Sequence, residues 1–308
     1  MSGHGRELLV KTRAAQPKTT VLSGATGFLG SRICRALAER GHLVHAYRRA
    51  GSKPVAGLPE SVHWHLLPAE IEAPFAVRPR PDAVIHCAAL YGRKGESPAE
   101  MIEANTLLPV RLRDLAAKHG VPVFFNTDTV LDPALNAYAL SKHQAVEWLR
   151  RSNGLPRVVN LRLQHFYGPG DDPSKFIAAM VAQCAANVPE IPLTDGRQRR
   201  DFLYVDDAVS AYVALLENDS VCLGGGPGFV EFEVGSGEAV EVRTVVERIH
   251  ALTHSRSQLK FGLLPHRAGE PMLTQADISA LRASGWKPAT SLAEGLRQTV
   301  AATLGEAL

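Results

Sequence analysis

Thr19-Thr-Val-Leu-Ser-Gly24-Ala-Thr-Gly27-Phe-Leu-Gly30 is the stretch that decides the fold. Its first five residues form a short, β-rich apolar run, as expected of a strand buried on both faces. Three glycines follow at intervals of three residues. From Phe28 to Arg40 the apolar residues recur with helical period, and Gly41 stands where a C-cap belongs. A strand, a glycine-rich turn and a helix in that order make a nucleotide-binding turn. The glycines permit the tight bend and let backbone approach a pyrophosphate, and the helix start offers unpaired N–H groups to it. In a chain with 26 glycines, the plainer alternative is an incidental glycine-rich turn.

The alternation continues outward from this unit. Leu43–Tyr47, His63–Leu67, Ala83–Ala88, Val121–Asn126 and Arg157–Leu163 read as strands, with helices at Met101–His119 and Tyr138–Arg151. This predicts an α/β fold, a Rossmann-type doubly wound parallel sheet covered on both faces. After about Phe166 proline and glycine become dense. Helices at Lys175–Ala186, Asp207–Glu217, Val240–Thr253 and Leu292–Thr303 then alternate with short strands. The expected organisation is a dinucleotide-binding domain over 1–165, with a segment near 207–237 returning to it. A smaller α+β C-terminal lobe covers 166–206 and 238–308. Glu231–Val234 is the candidate returning strand.

Composition narrows the function classes. The 308 residues are 45% hydrophobic and 21% charged, with 34 basic against 31 acidic side chains. A net charge of +3 without basic–aromatic clusters gives no reason to expect nucleic acid. No apolar run approaches the ~18–20 residues that span a bilayer. Met1–Lys18 reads as a basic tail without a secretory apolar core, so a cytoplasmic location is expected. Cys34, Cys87, Cys184 and Cys222 are far apart and form no CxxC, which suits a reducing compartment. Twelve histidines include no HExxH, and no metal site is expected. Met101, Trp148, Met180 and Trp286 read as core.

Three further motifs carry chemistry. The strand Leu43–Tyr47 ends in Arg48-Arg49, where dinucleotide folds usually place an acid for the ribose 2′-hydroxyl. Guanidinium groups instead fork onto a 2′-phosphate, which favours NADP(H); a solvated surface pair is the alternative. Tyr138-Ala-Leu-Ser-Lys142 places a phenol and an ammonium one helical turn apart. A nearby cation lowers a phenol from its usual value of about 10 and fits it for proton transfer near neutrality. An ordinary surface Tyr···Lys contact is the alternative. Asn126-Thr127-Asp128-Thr129 sits at the end of a strand, where open parallel sheets bind ligands. Thr127 offers a hydroxyl to a substrate oxygen. Asp128 serves as an acid or only as a helix N-cap.

In this order, these elements resemble the extended short-chain dehydrogenase/reductases, the NAD-dependent epimerase/dehydratase family. Also matching are His86-Cys-Ala88-Ala89, Asn105, Leu161–Gly170, Arg200–Tyr212, His266–Pro271 and Ala276–Pro288. The resemblance implies Thr127, Tyr138 and Lys142 as the catalytic triad. It implies a cofactor site of Gly24, Thr26, Gly27, Phe28, Leu29, Gly30, Arg48, Arg49, Ala88, Ala89 and Asn105. Glu70-Ile71 falls near the adenine, with Glu where the family has Asp. Arg200 and Arg267 match residues that hold a nucleotide-sugar diphosphate. Tyr91, Asp128, Lys175 and Phe176 complete the substrate side, with His165 where the family often has Asn. The dehydratases use Thr-Asp-Glu, whereas Thr129 here cannot act as a base, so elimination is not expected. The resemblance is greatest to NDP-4-keto-6-deoxyhexose 4-ketoreductases, which implies NADPH-dependent reduction of a dTDP- or CDP-linked ketosugar. An epimerase with tightly bound NAD and a non-catalytic NADP(H)-binding regulator are the alternatives. A homodimer through the 101–119 and 138–151 helices is expected.

Overall fold

Successive residues of a strand face opposite ways. In the computed structural model, which describes residues 16–224, 226–267 and 269–306, strand β1 (Thr19–Ser23) therefore sends Val21 into one core and Leu22 into another. The later strands are β2 (Leu43–Arg49), β3 (Val62–Leu67), β4 (Ala83–His86), β5 (Val123–Thr129), β6 (Arg157–Leu163), β7 (His165–Tyr167), β8 (Glu190–Pro192), β9 (Arg199–Tyr204), β10 (Phe229–Val234), β11 (Ala239–Glu241), β12 (Gln258–Lys260) and β13 (Leu273–Thr274). The helices are α1 (Phe28–Glu39), α2 (Pro98–Ile102), α3 (Leu108–Lys118), α4 (Ala137–Arg151), α5 (Phe176–Ala185), α6 (Val205–Glu217), α7 (Asp219–Cys222), α8 (Val242–Leu252), α9 (Ser279–Ala283) and α10 (Leu292–Leu304).

Seven strands make one sheet in the order β10-β6-β5-β4-β1-β2-β3, with every neighbouring pair parallel. Helices α1 and α6 cover one face through Ile33, Leu37, Val209 and Tyr212. Leu112 of α3 and Leu149 of α4 pack on the other, against Val21, Tyr47 and Phe124. This is the doubly wound fold expected from the sequence. Strand order reverses between β1 and β4, so a crevice opens beyond their carboxyl ends. The Glu231–Val234 segment lies within β10, parallel to β6. A second core gathers Ile177, Val181, Phe202, Val245 and Leu296 around a small sheet of β7, β9, β11 and β13.

Two buried carboxylates tie these parts together. Asp201 accepts hydrogen bonds from Ser236 N, Ser236 Oγ, Gly237 N and Ala276 N, at 2.7, 2.7, 3.0 and 3.1 Å. Asp207 accepts from Ala289 N and Thr290 N at 2.8 and 2.9 Å.

Several expectations need correction. β5 runs on to Thr129 because β6 pairs with it as far as Leu163, so the Asn126–Thr129 motif lies inside the strand. The helix expected from Met101 starts at Pro98, where Ser97 and Glu100 form a capping box. A π turn at Glu103–Leu107 interrupts it. Pro109, in the following turn, has no N–H to give the Asn105 carbonyl. Trp148 is 62% exposed rather than core, because α4 turns Ala145, Val146 and Leu149 inward instead. Met101, Met180 and Trp286 are buried. The first 15 residues of the basic tail lie outside the described residues. All four cysteines are free. Among the described residues, no helix is long and apolar enough to cross a membrane, and no cluster of three or more His, Cys, Asp or Glu is placed to hold a metal ion.

Candidate active site

Backbone lies against backbone at the start of the crevice. Gly24 has φ +78°, and a Cβ there would stand 2.5 Å from Ala88 N. A Cβ on Gly30 would stand 2.2 Å from Gly24 O. No larger residue fits either position without moving main chain. Helix α1 opens at Gly27 without a side-chain cap or an acidic residue in its first turn. Its first N–H groups therefore lack intrahelical partners and carry the positive end of the dipole. Thr26, Gly27, Phe28, Leu29 and Gly30 line a cavity of about 1370 Å³. This cradle fits the pyrophosphate of a dinucleotide, with Ala88 and Ala89 lining the cavity beside it.

Arg48 and Arg49, the last residues of β2, and Leu67, the last of β3, also line the cavity. Two expected cofactor positions lie elsewhere. Glu70 turns its carboxylate back to the Leu66 N–H of β3, and the Ile71 carbonyl accepts from the Tyr47 hydroxyl; neither lines the cavity. Asn105 is buried behind the wall. It bonds Leu90 N and O at 2.8 Å each and Ser141 Oγ at 2.9 Å, so it clamps the loop after β4 to α4.

Thr127, Asp128, Tyr138 and Lys142 all reach the cavity. Asn136 caps α4 by accepting from Ala139 N at 2.9 Å, so Asp128 is not the cap and Tyr138 lies in the first turn. The Tyr138 ring packs on Tyr91 with centroids 4.7 Å apart. Burial holds the Tyr138 phenol well above its ordinary range, with Tyr91 and Asp128 adding to the rise and Arg93 and Thr129 opposing it. This corrects the expectation that Lys142 makes the phenol acidic. Lys142 is 2% exposed and is itself pushed down by burial, against the pull of Asp128 and Cys87. Burial also raises Asp128, against Lys142 and the Asn160 amide that bonds it at 3.1 Å. The Cys87 thiol is pushed up to about 12 by burial, so it is neutral.

His165, Lys175, Phe176, Arg200 and Arg267 line the opposite wall, from the second lobe. Lys175 pairs with Asp171 at 2.8 Å, and its ammonium lies 4.3, 5.2 and 5.5 Å from the rings of Phe166, Phe28 and Tyr91. Arg200 is buried and pairs with Glu270 at 2.7 Å. Burial lowers His165 to about 4, helped by Arg200 and opposed by Glu270, so this imidazole is neutral. Glu270, Asp171 and Arg93 join the site without having been read from the sequence. Glu270 lies inside the His266–Pro271 motif, but its role shows only in its contact with Arg200.

The chain is thus a Rossmann-type protein with a dinucleotide cradle facing a second lobe rich in cations. The pattern of the family described as "NAD dependent epimerase/dehydratase family" matches residues 20–225. A CDP-abequose synthase of Salmonella typhimurium is 31% identical over 294 residues, covering 90% of this chain and 96% of that protein. A dTDP-4-dehydro-6-deoxy-D-allose reductase of Streptomyces bikiniensis is 28% identical over 272 residues, covering 76% and 81%. The solved structure of MoeE5 in complex with UDP-glucose and NAD superposes with a TM-score of 0.76 at 25% identity, covering 93% of this chain and 99% of that one. The chain belongs to the NAD dependent epimerase/dehydratase family, the extended short-chain dehydrogenase/reductases, and is an enzyme of that nicotinamide-dependent group.

Proposed function

We propose that the protein reduces the C4 ketone of a nucleoside-diphosphate 4-keto-6-deoxyhexose, with NADPH as reductant. One observation carries the reading: Thr127 and Tyr138 face a single cavity whose other wall bears Arg200 and Arg267. Two hydroxyls on one side suit a carbonyl oxygen, and two guanidiniums on the other suit a diphosphate. The two relatives at 31% and 28% identity, whose names contain CDP-abequose and a dTDP-4-dehydro sugar, support the substrate class.

When bound, the nicotinamide supplies the hydride. Tyr138 gives its proton to the sugar oxygen, and Thr127 donates a hydrogen bond to the same atom. The raised phenol suits this direction, because it holds its proton through neutral pH. Lys142 holds the cofactor ribose. Arg200 and Arg267 hold the diphosphate, with Glu270 fixing the first guanidinium. Tyr91, Asp128, His165, Lys175 and Phe176 shape the space for the nucleotide sugar. The test is a panel of CDP-, dTDP-, GDP- and UDP-4-keto-6-deoxyhexoses with NADPH, with the product read by NMR. Absence of NADPH oxidation across the panel, with tightly bound NAD in the purified protein, favours an epimerase instead.

The cofactor preference rests on Arg48 and Arg49, which line the cavity at the end of β2 where an acid would repel a 2′-phosphate. Exchanging both for alanine is expected to raise the KM for NADPH by one to two orders of magnitude, as two charge-assisted hydrogen-bond donors are lost. The KM for NADH should move less than threefold. Parallel initial-rate measurements with the two cofactors check this.

We also propose a homodimer. Ile102, Leu107, Leu140 and Trp148 are large apolar side chains exposed on α2, the π turn and α4. Such a patch suits burial against a second copy. Sedimentation should give a dimer mass, and Trp148→Glu should shift it toward monomer.

A further inference from the structure

We propose that Tyr212 is a positioning residue, whose buried hydroxyl aims the hydrogen of Thr127 at the reacting oxygen. The assignment rests on the reading of Thr127 as a donor to that oxygen.

Tyr212 stands on α6, fully buried, and does not line the cavity. Its hydroxyl lies 2.6 Å from Thr127 Oγ1, across 85 positions of sequence. Either oxygen can donate in such a pair. Among the described residues, Thr127 is the only hydrogen-bond partner of the Tyr212 hydroxyl. If Thr127 were the donor, the Tyr212 hydrogen would be buried without an acceptor and would lose its hydration uncompensated. It would also turn Thr127's own hydrogen away from the cavity and present lone pairs to a carbonyl that can only accept. The reverse order satisfies every atom. Tyr212 donates to Thr127, and Thr127 donates into the cavity it lines.

Surrounding groups agree with this order. Cys87, beside the pair, is a neutral thiol and a weak acceptor. Burial keeps the Tyr212 phenol protonated, so the donor is always charged with its hydrogen. As negative charge builds on the sugar oxygen, both hydrogen bonds strengthen together, because linked donors polarise one another.

The test is a double-mutant cycle of Tyr212→Phe with Thr127→Ala and Thr127→Ser. It uses whichever nucleotide sugar the wild-type protein turns over. Phenylalanine keeps the ring and its packing, and a melting curve verifies the fold. Tyr212→Phe should lower kcat roughly tenfold, which corresponds to about 1.4 kcal/mol, with both KM values within about twofold. The loss should persist with Thr127→Ser and vanish with Thr127→Ala. Unchanged kcat in Tyr212→Phe overturns the assignment. So does an equal loss in the Thr127→Ala background, which marks a general packing role. Failure of the reductase reading shows separately, as a wild-type protein inert toward 4-ketosugars while the cycle still resolves on its actual substrate.

Discussion

Tyr138→Phe is expected to lower kcat for ketosugar reduction by about 10²–10⁴-fold, the usual worth of a positioned general acid. The ring stays packed on Tyr91, so NADPH affinity should change less than threefold. The pH profile gives a second reading. The phenol is held well above its ordinary range by burial, with Tyr91 and Asp128 adding to the effect. Its protonated form, the one that donates, therefore persists through neutral pH, and reduction should fall only on the alkaline side. The reverse oxidation needs the phenolate and should rise with pH over the same span. Initial rates in both directions from pH 6 to about pH 11, which spans the ordinary phenol value of about 10, check this. A reduction limb that falls between pH 6 and 8 contradicts the assignment.

Lys142→Met is expected to separate activity from stability. Methionine keeps most of the apolar stem and removes the ammonium. Activity should fall at least about 100-fold, because the group proposed to hold the ribose, which lines the same cavity as Tyr138, is gone. The cofactor-free protein should melt higher. Burial lowers the Lys142 pKa in the folded state, so at neutral pH the unfolded chain binds this proton more readily. Folding then works against a buried charge, and the penalty fades as pH rises toward the ordinary lysine value of 10.5. The gain from Lys142→Met should accordingly be largest near neutral pH and shrink toward pH 10. Melting curves of both proteins at several pH values measure it. A lower melting temperature at pH 7 would contradict this account.

The sequence carried a large share of this structure, for physical reasons. β1, its glycines and α1 are local, so their order could be read directly from residues 19–30. The parallel sheet followed from apolar runs alternating with amphipathic helices. The candidate site was legible where residues close in sequence line one cavity, as Arg48 with Arg49 and Tyr138 with Lys142. It was illegible where environment decides. Helical spacing placed Lys142 near Tyr138, but burial and the charges of Tyr91 and Asp128 set the phenol's behaviour. Asn105 and Glu70 matched by position, yet each spends its polar atoms on nearby chain. Trp148 has an apolar side chain, but α4 turns it outward and leaves it exposed. Tyr212 meets Thr127 only because α6 packs over β5, far along the sequence.

The four bonds to Asp201 bear on how any scan of substitutions here should be interpreted. Arg200 and Asp201 are neighbours in one conspicuous motif, yet the first looks into the cavity and the second is a rivet for main chain. Damage at the rivet loosens the joint between the returning strand and the lobe, and surfaces as poor yield of folded protein. Damage next door surfaces as slow turnover in protein that is otherwise sound. Adjacent letters in a recognisable motif can thus belong to different trades, one chemistry and the other carpentry.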